Sequence, residues 1–147
     1  MSLRQFLEQK DYERIKLNTT QTGHYKFCLF LNNVKGTFIL DTGASNTCVD
    51  LNAIDQYNLF AIDSDIKAAG AGAINMMTQI SSDNTIKINK WKCTGVDIVL
   101  FDLSHVNTAL IDHEIAAVDG IMGADILNLG KAIIDYDKNC LYLKRLK

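Results

Sequence analysis

The sequence predicts a mainly β protein, a closed barrel-like sheet with one or two short helices. Short apolar segments recur along the chain, each bounded by Gly, Asn, Asp or Ser, which is typical of strands joined by turns. The 147 residues contain no proline, no repeat and no Gly/Ser linker, which indicates one globular unit. We therefore expect an N-terminal arm over residues 1–11 and a single domain over residues 12–147.

The composition narrows the choice of partners. Apolar residues make up 48% and charged residues 22% of the chain, and the net charge is only −2, so a nucleic-acid partner is not expected. No apolar run is long enough to span a bilayer, and the first ten residues lack the apolar core of a signal peptide, so we expect no membrane partner and favour the cytoplasm. The four cysteines form no Cys-x-x-Cys pair and are predicted to be buried thiols: Cys28, Cys48, Cys93 and Cys140.

The first third of the chain predicts a hairpin that ends in a carboxylate. Residues 1–11 fit a short helix or a loose arm, and a strand pattern begins at Tyr12. Residues 24–31 form a nearly continuous apolar strand, and residues 32–36 fit a hairpin connection. The return strand, 37–40, ends at Asp41, so the hairpin is expected to hold this residue rigidly.

The rest of the chain predicts further short strands and two short helices. One helix is expected over residues 50–57 with Asp50 as N-cap, and another over 124–129, capped by Asp125 and followed by Gly130. Residues 102–117 are interpreted as a solvated loop. Their His113-Glu114 pair lacks the second His of a zinc-binding helix, so no metal and no cofactor is expected.

The stretch 38–45, Phe-Ile-Leu-Asp-Thr-Gly-Ala-Ser, carries the strongest chemical signal. A carboxylate at the end of a buried strand is costly unless it is hydrogen-bonded or used in chemistry. Taken alone, Asp-Thr-Gly fits an ordinary strand-ending turn. Here, however, a second apolar run that also ends in glycine, 120–123, follows later in the chain.

This pair of motifs resembles the aspartic peptidases, and the Asp-Thr-Gly-Ala form is most similar to their single-domain, retropepsin-like branch. Within that branch the pattern resembles the bacterial and cellular members more than a viral processing enzyme. The resemblance covers residues 12–144. It implies an acid-protease fold in which Asp41 is the catalytic carboxylate. It also implies that the active site is supported by Thr42, Gly43, Ala44, Ile121, Met122 and Gly123.

Residues 66–77 contain two glycines among alanines, which fits either a tight turn or a mobile hairpin tip. The resemblance implies a flap between the two motifs, so we interpret residues 68–77 as a flap. Its substrate-facing residues are then Gly70, Ala71, Gly72 and Ala73.

Only one Asp-Thr-Gly is present, and amide hydrolysis by carboxylates needs two of them sharing one proton. The resemblance therefore implies an aspartic endopeptidase that cleaves peptides or proteins as a homodimer, with Asp41 from both copies and a water nucleophile. Thr42 would bond across the axis, and the strand 140–144 is our candidate for the interface, with the N-terminal arm as a possible addition.

Two positions depart from the retroviral pattern. Ser45 replaces an acidic residue and Ala124 replaces an arginine, and these two normally pair with each other. An alternative hypothesis is therefore a catalytically silent module of the same fold that binds peptides or dimerises. A third interpretation is a structural domain of a larger chain.

Overall fold

The computed structural model describes residues 1–70, 73–113 and 116–146. Three α-helices lie at Leu3–Glu8 (α1), Ser104–Asp112 (α2) and Ala124–Leu129 (α3), and a 3-10 helix lies at Leu51–Ala53. The strands are Tyr12–Lys16 (β1), Asn18–Thr19 (β2), Tyr25–Leu31 (β3), Val34–Leu40 (β4), Cys48–Asp50 (β5), Ala61–Gly70 (β6), Ala73–Ile88 (β7), Trp91–Phe101 (β8), Gly120–Met122 (β9), Ile133–Asp135 (β10) and Cys140–Lys144 (β11).

A closed six-stranded barrel is the main feature of the fold. Its strands follow the order β3-β4-β9-β5-β8-β7, and pairing between β3 and β7 closes it. β2 extends the sheet beside β3, and β6 extends it beside β7. Large apolar side chains fill the interior, among them Phe27, Phe38 and Trp91. The predicted mainly β, barrel-like fold is confirmed.

The hairpin of β3 and β4 forms because adjacent asparagines supply a tight turn. Asn32 and Asn33 have φ values of 50° and 68°, as a two-residue hairpin turn with left-handed residues requires. β4 therefore begins at Val34, three residues earlier than predicted. Alternate residues of β3 face the core, which leaves Cys28 on the exposed face. The prediction that all four thiols are buried is wrong for Cys28, because an apolar run does not reveal which face of a strand is covered.

A second, three-stranded sheet joins the two ends of the chain in the order β1-β11-β10. β11 is its middle strand, paired with β1 on one side and β10 on the other. The proposal that residues 140–144 offer an edge to a second copy is therefore wrong, since both edges are already used. The first residues form helix α1 behind a Ser2 capping box, and its Leu7 packs on Cys140 and Tyr142.

Helix α2 corrects the interpretation of residues 102–117 as a solvated loop. Its Leu110 is buried against Ile39 and Val118, with Val106 packed beside them. The helix thus covers the outer face of β4, which explains why this strand is buried on both faces where it approaches Asp41. Within the described residues, no helix is long and apolar enough to cross a membrane.

Candidate active site

Asp41 is positioned by β9, which lies between β4 and β5. β9 runs parallel to β4, with Ile39 opposite Ile121 and Leu40 opposite Met122. The Asp41 N–H continues this pairing and donates to the Met122 carbonyl at 3.0 Å. The two apolar motifs of the sequence are therefore neighbours, although many residues separate them along the chain. The carboxylate emerges, partly buried, where the paired strands end.

The loop after Asp41 orients its carboxylate. The Gly43 N–H donates to Asp41 Oδ1 at 2.9 Å, and the Ala44 N–H donates to the Asp41 carbonyl at 3.2 Å. Thr42 and Gly43 are exposed and Ala44 is half-buried. A carboxylate that accepts a backbone N–H is fixed in direction, as a group that activates water must be.

Gly123 lies where two backbones meet. The Ala124 N–H donates to the Ala44 carbonyl at 2.7 Å. A Cβ at position 123 would lie 2.6 Å from that same carbonyl oxygen, closer than carbon and oxygen can approach. The glycine that the motif predicted is therefore required by close contact with the Asp41 loop.

Thr47 and Asp125 form a contact that the sequence analysis missed. The Thr47 hydroxyl donates to Asp125 Oδ1 at 2.7 Å, and the Thr47 N–H donates to Asp125 Oδ2 at 3.0 Å. Asp125 was predicted to be the N-cap of its helix, but the N-cap is Gly123, two residues earlier. The signal for this pair was a carboxylate in the first turn of a short helix and a threonine just before the apolar strand β5. The spacing of the two residues in the sequence does not predict that they are in contact.

Cys48 lies next to Thr47 and is buried. Burial, and then the negative charges of Asp125 and Asp41, raise the pKa of the Cys48 thiol to about 12. Its Sγ–H donates to the Asn46 carbonyl at 3.1 Å. The thiol is therefore neutral at ordinary pH and behaves as a small core residue beside the loop.

Thr42 lines a groove of about 470 Å³ beside helix α3. The other lining residues are Ala124, Leu127, Asn128, Lys131, Ala132 and Ile134. Ile134 belongs to β10, which forms one edge of the three-stranded sheet. The groove therefore connects the Asp41 loop to a sheet edge that no described strand of this chain covers.

The predicted flap falls on the hairpin of β6 and β7. Gly70 and Ala73 face each other as the last paired residues, and Ala71 and Gly72 lie outside the described residues. The pairing shifts register between Ser64 and Ala68 and again between Ala68 and Gly70. The antiparallel strands β6 and β7 thus flank the predicted position, and the flap stays a prediction.

Within 1–70, 73–113 and 116–146, no three His, Cys, Asp or Glu residues lie close enough together to hold a metal ion. His105 and Asp112 lie on α2, and His113 is its C-cap residue. Glu114 lies outside the described residues.

Comparison with known proteins gives a family and a fold. The profile of a family described as aspartyl protease matches residues 29–126, which include both glycine motifs. A search of curated proteins found no match. Among solved structures, a retropepsin-like aspartic protease from Rickettsia conorii has a TM-score of 0.62 at 19% identity, covering 91% of this chain and 90% of that one.

Two further structures have the same fold. The EIAV protease in complex with the inhibitor HBY-793 has a TM-score of 0.58 at 17% identity, covering 80% of this chain and 98% of that one. The retroviral protease-like domain of Ddi1 from Leishmania major has a TM-score of 0.51 at 15% identity, covering 82% and 91%.

Proposed function

The chain belongs to the aspartyl protease family, and we propose that it is an aspartic endopeptidase in which Asp41 activates the attacking water. One observation carries the proposal: Asp41 leaves a buried strand paired with β9, and the Gly43 N–H holds one of its carboxylate oxygens at 2.9 Å. A carboxylate oriented in this way, in the region that matches the family, is suited to general base catalysis.

The chain supplies one such carboxylate, and amide hydrolysis by this route uses two. One removes a proton from water while the other donates a proton or hydrogen bond to the carbonyl oxygen. A two-fold homodimer brings Asp41 of both copies together at the axis, because an isologous interface pairs each surface with itself. Two carboxylates that meet at the axis share one proton, as in aspartic proteases generally.

We propose that the second copy docks on the Thr42 groove and the edge of β10. β11 is unavailable because β1 and β10 already cover both of its edges. The groove combines the exposed Thr42 with apolar side chains of Leu127 and Ile134, and it adjoins the Asp41 loop. A copy seated there would bring the two loops face to face.

The β6–β7 hairpin is proposed to cover the peptide as a flap over residues 68–77, with Gly70, Ala71, Gly72 and Ala73 at its tip. β7 anchors this hairpin in the barrel, and the outer edge of β6 pairs with no other described strand. Such a hairpin could open to admit an extended substrate and close to exclude water.

The test is a peptide-library cleavage assay from acid to neutral pH, comparing wild type with Asp41→Asn. The substitution keeps the size of the side chain but removes the carboxylate, so cleavage should fall by on the order of 10⁴-fold. Asp102→Asn is a matched control, since Asp102 Oδ1 also accepts a bond from the backbone two residues on, the Ser104 N–H at 2.8 Å. It should cleave as wild type does.

Cleavage that survives in Asp41→Asn would refute the assignment of Asp41. Light scattering on the same samples gives the oligomeric state. A monomer at all concentrations that still cleaves would refute the shared pair. Dimers that cleave nothing would favour the alternative hypothesis, a catalytically silent module that binds peptides or dimerises.

A further inference from the structure

We propose that Asp125 and Thr47 are positioning residues, which hold the Asp41 loop in its working geometry from the start of helix α3. This inference rests on the proposed function of Asp41.

The surroundings of Thr47 fix which of its atoms donate and which accept hydrogen bonds. Its side chain is fully buried, at 0% exposure, and its hydroxyl donates to Asp125 Oδ1 at 2.7 Å. Because a carboxylate can only accept, the single hydroxyl proton is committed to Asp125. The hydroxyl oxygen is then free to accept the Gly123 N–H at 3.1 Å. The Thr47 N–H makes a second bond to the same carboxylate, donating to Asp125 Oδ2 at 3.0 Å.

These bonds fix the far end of a loop that is held at three points. Its first residue, Asp41, donates to the Met122 carbonyl, and in its middle the Ala44 carbonyl accepts from Ala124. Thr47, the last residue of the loop, is hydrogen-bonded to Gly123 and Asp125. All three attachments lie on the continuous segment 122–125. A shift of Thr47 would therefore move the loop relative to the strand that aligns Asp41.

The charge of Asp125 also reaches the loop. Burial raises the pKa of the Cys48 thiol most, and the charges of Asp125 and Asp41 raise it further. Both carboxylates are thus near one buried sulfur atom. Asp125 itself accepts a third bond, from the Ile126 N–H at 2.8 Å, so its carboxylate is held rigidly in the first turn of α3.

Asn107 provides a matched comparison elsewhere in the fold. It lies on α2, is half-buried like Asp125, and also holds a backbone segment by two hydrogen bonds. Its Oδ1 accepts the Val118 N–H at 2.8 Å and its Nδ2 donates to the Val118 carbonyl at 3.1 Å. Both bonds go to Val118 in the segment before β9, and neither involves the Asp41 loop.

The experiment measures kcat and KM on the peptide that wild type cleaves best, for Thr47→Val, Thr47→Ser, Asp125→Ala and Asn107→Ala. Loss of the hydroxyl or the carboxylate should lower kcat by about 10- to 100-fold and change KM by less than about 3-fold, because misplacement of a catalytic group affects the chemical step. Thr47→Ser should restore kcat to within about 3-fold of wild type. Asn107→Ala should unfold at a lower temperature and keep the wild-type kcat.

Two results bear directly on the pair. The double variant Thr47→Val with Asp125→Ala should be no slower than the slower single variant, since both break the same contact.

If Thr47→Val does not fold, Asp125→Asn is the gentler change. It keeps the shape but turns one acceptor into a donor, and it should lower kcat less than Asp125→Ala. A normal kcat in variants that are merely less stable would overturn the proposal, and so would Thr47→Ser behaving as Thr47→Val does.

Amide hydrogen exchange separates this inference from the proposed function. If wild type cleaves no peptide, the proposed function fails, while exchange still reports on the loop. Asp125→Ala should speed exchange at Gly43, Ala44 and Ala124 by at least about 10-fold, and Asn107→Ala should leave it unchanged. Unchanged exchange in Asp125→Ala would overturn the positioning role.

Discussion

The Asp41 loop and the β6–β7 hairpin are attached to the barrel in opposite ways. The loop is bonded to residues 122–125 at its start, middle and end. β6, by contrast, lies at the edge of its sheet, pairs with β7 alone among the described strands, and shifts register twice before Gly70. The carboxylate therefore lies on the firmly held side, and the proposed cover lies on the loosely held side. This is the division that a rigid site with a movable lid needs.

The largest expected effect comes from disturbing the firmly held side with Gly123→Ala. The added Cβ would lie 2.6 Å from the Ala44 carbonyl and 2.9 Å from the Asn46 carbonyl, and backbone atoms cannot yield easily. We expect a loss of about 3 kcal/mol in the free energy of unfolding, measured by urea denaturation.

Gly43→Ala is the matched control for that variant. Among the described residues, a Cβ there meets Asp41 Oδ1 alone, at 3.3 Å, so stability should change by less than about 1 kcal/mol. Equal losses in the two variants would show that close contact with α3 is not what fixes the loop.

The next effect concerns the loosely held side. Gly70→Val places a β-branched residue at the end of β6, where strand geometry suits it, so stability should stay within about 1 kcal/mol of wild type. The stiffer backbone beside the tip should nonetheless slow peptide turnover by about 10- to 100-fold. Steady-state kinetics and urea denaturation of one preparation measure both. Comparable losses in turnover and stability would make the hairpin an ordinary turn.

The sequence predicted the strands beside the Asp41 loop better than the side-chain contacts that hold the loop in place. The apolar run before Asp41 predicted a buried strand, which is present as β4. The resemblance to aspartic peptidases implied that Ile121-Met122-Gly123 lies beside Asp41, and β9 lies there. The Thr47–Asp125 contact joins residues far apart in the chain, and no local pattern of either residue specifies it.

The same limit explains the other differences. β11 was taken for an exposed edge because its two partners, β1 and β10, are identified only by tertiary pairing. α2 was missed because its sequence, Ser-His-Val-Asn-Thr-Ala-Leu-Ile-Asp, buries little more than Leu110, so its apolar face is narrow. Packing against Ile39 and Val118 stabilises it.

The smallest expected effect is a pH dependence that originates on the firmly held side. The Cys48 thiol has an ordinary pKa of 9.0 when exposed, and burial with the nearby carboxylates raises it to about 12 in the folded chain. Below pH 9 both states keep the proton and the thiol contributes nothing. Above pH 9 the unfolded chain loses its proton while the folded chain keeps it, so the unfolded state is favoured. Wild type should lose on the order of 1 kcal/mol more stability than Cys48→Ala between pH 8 and pH 10, measured by urea denaturation. Cys28→Ala, on the exposed face of β3, should follow the wild-type curve. If Cys48→Ala also follows it, the sulfur beside the Asp41 loop is more hydrated than its burial indicates, and the firm side of the comparison is open to water at high pH.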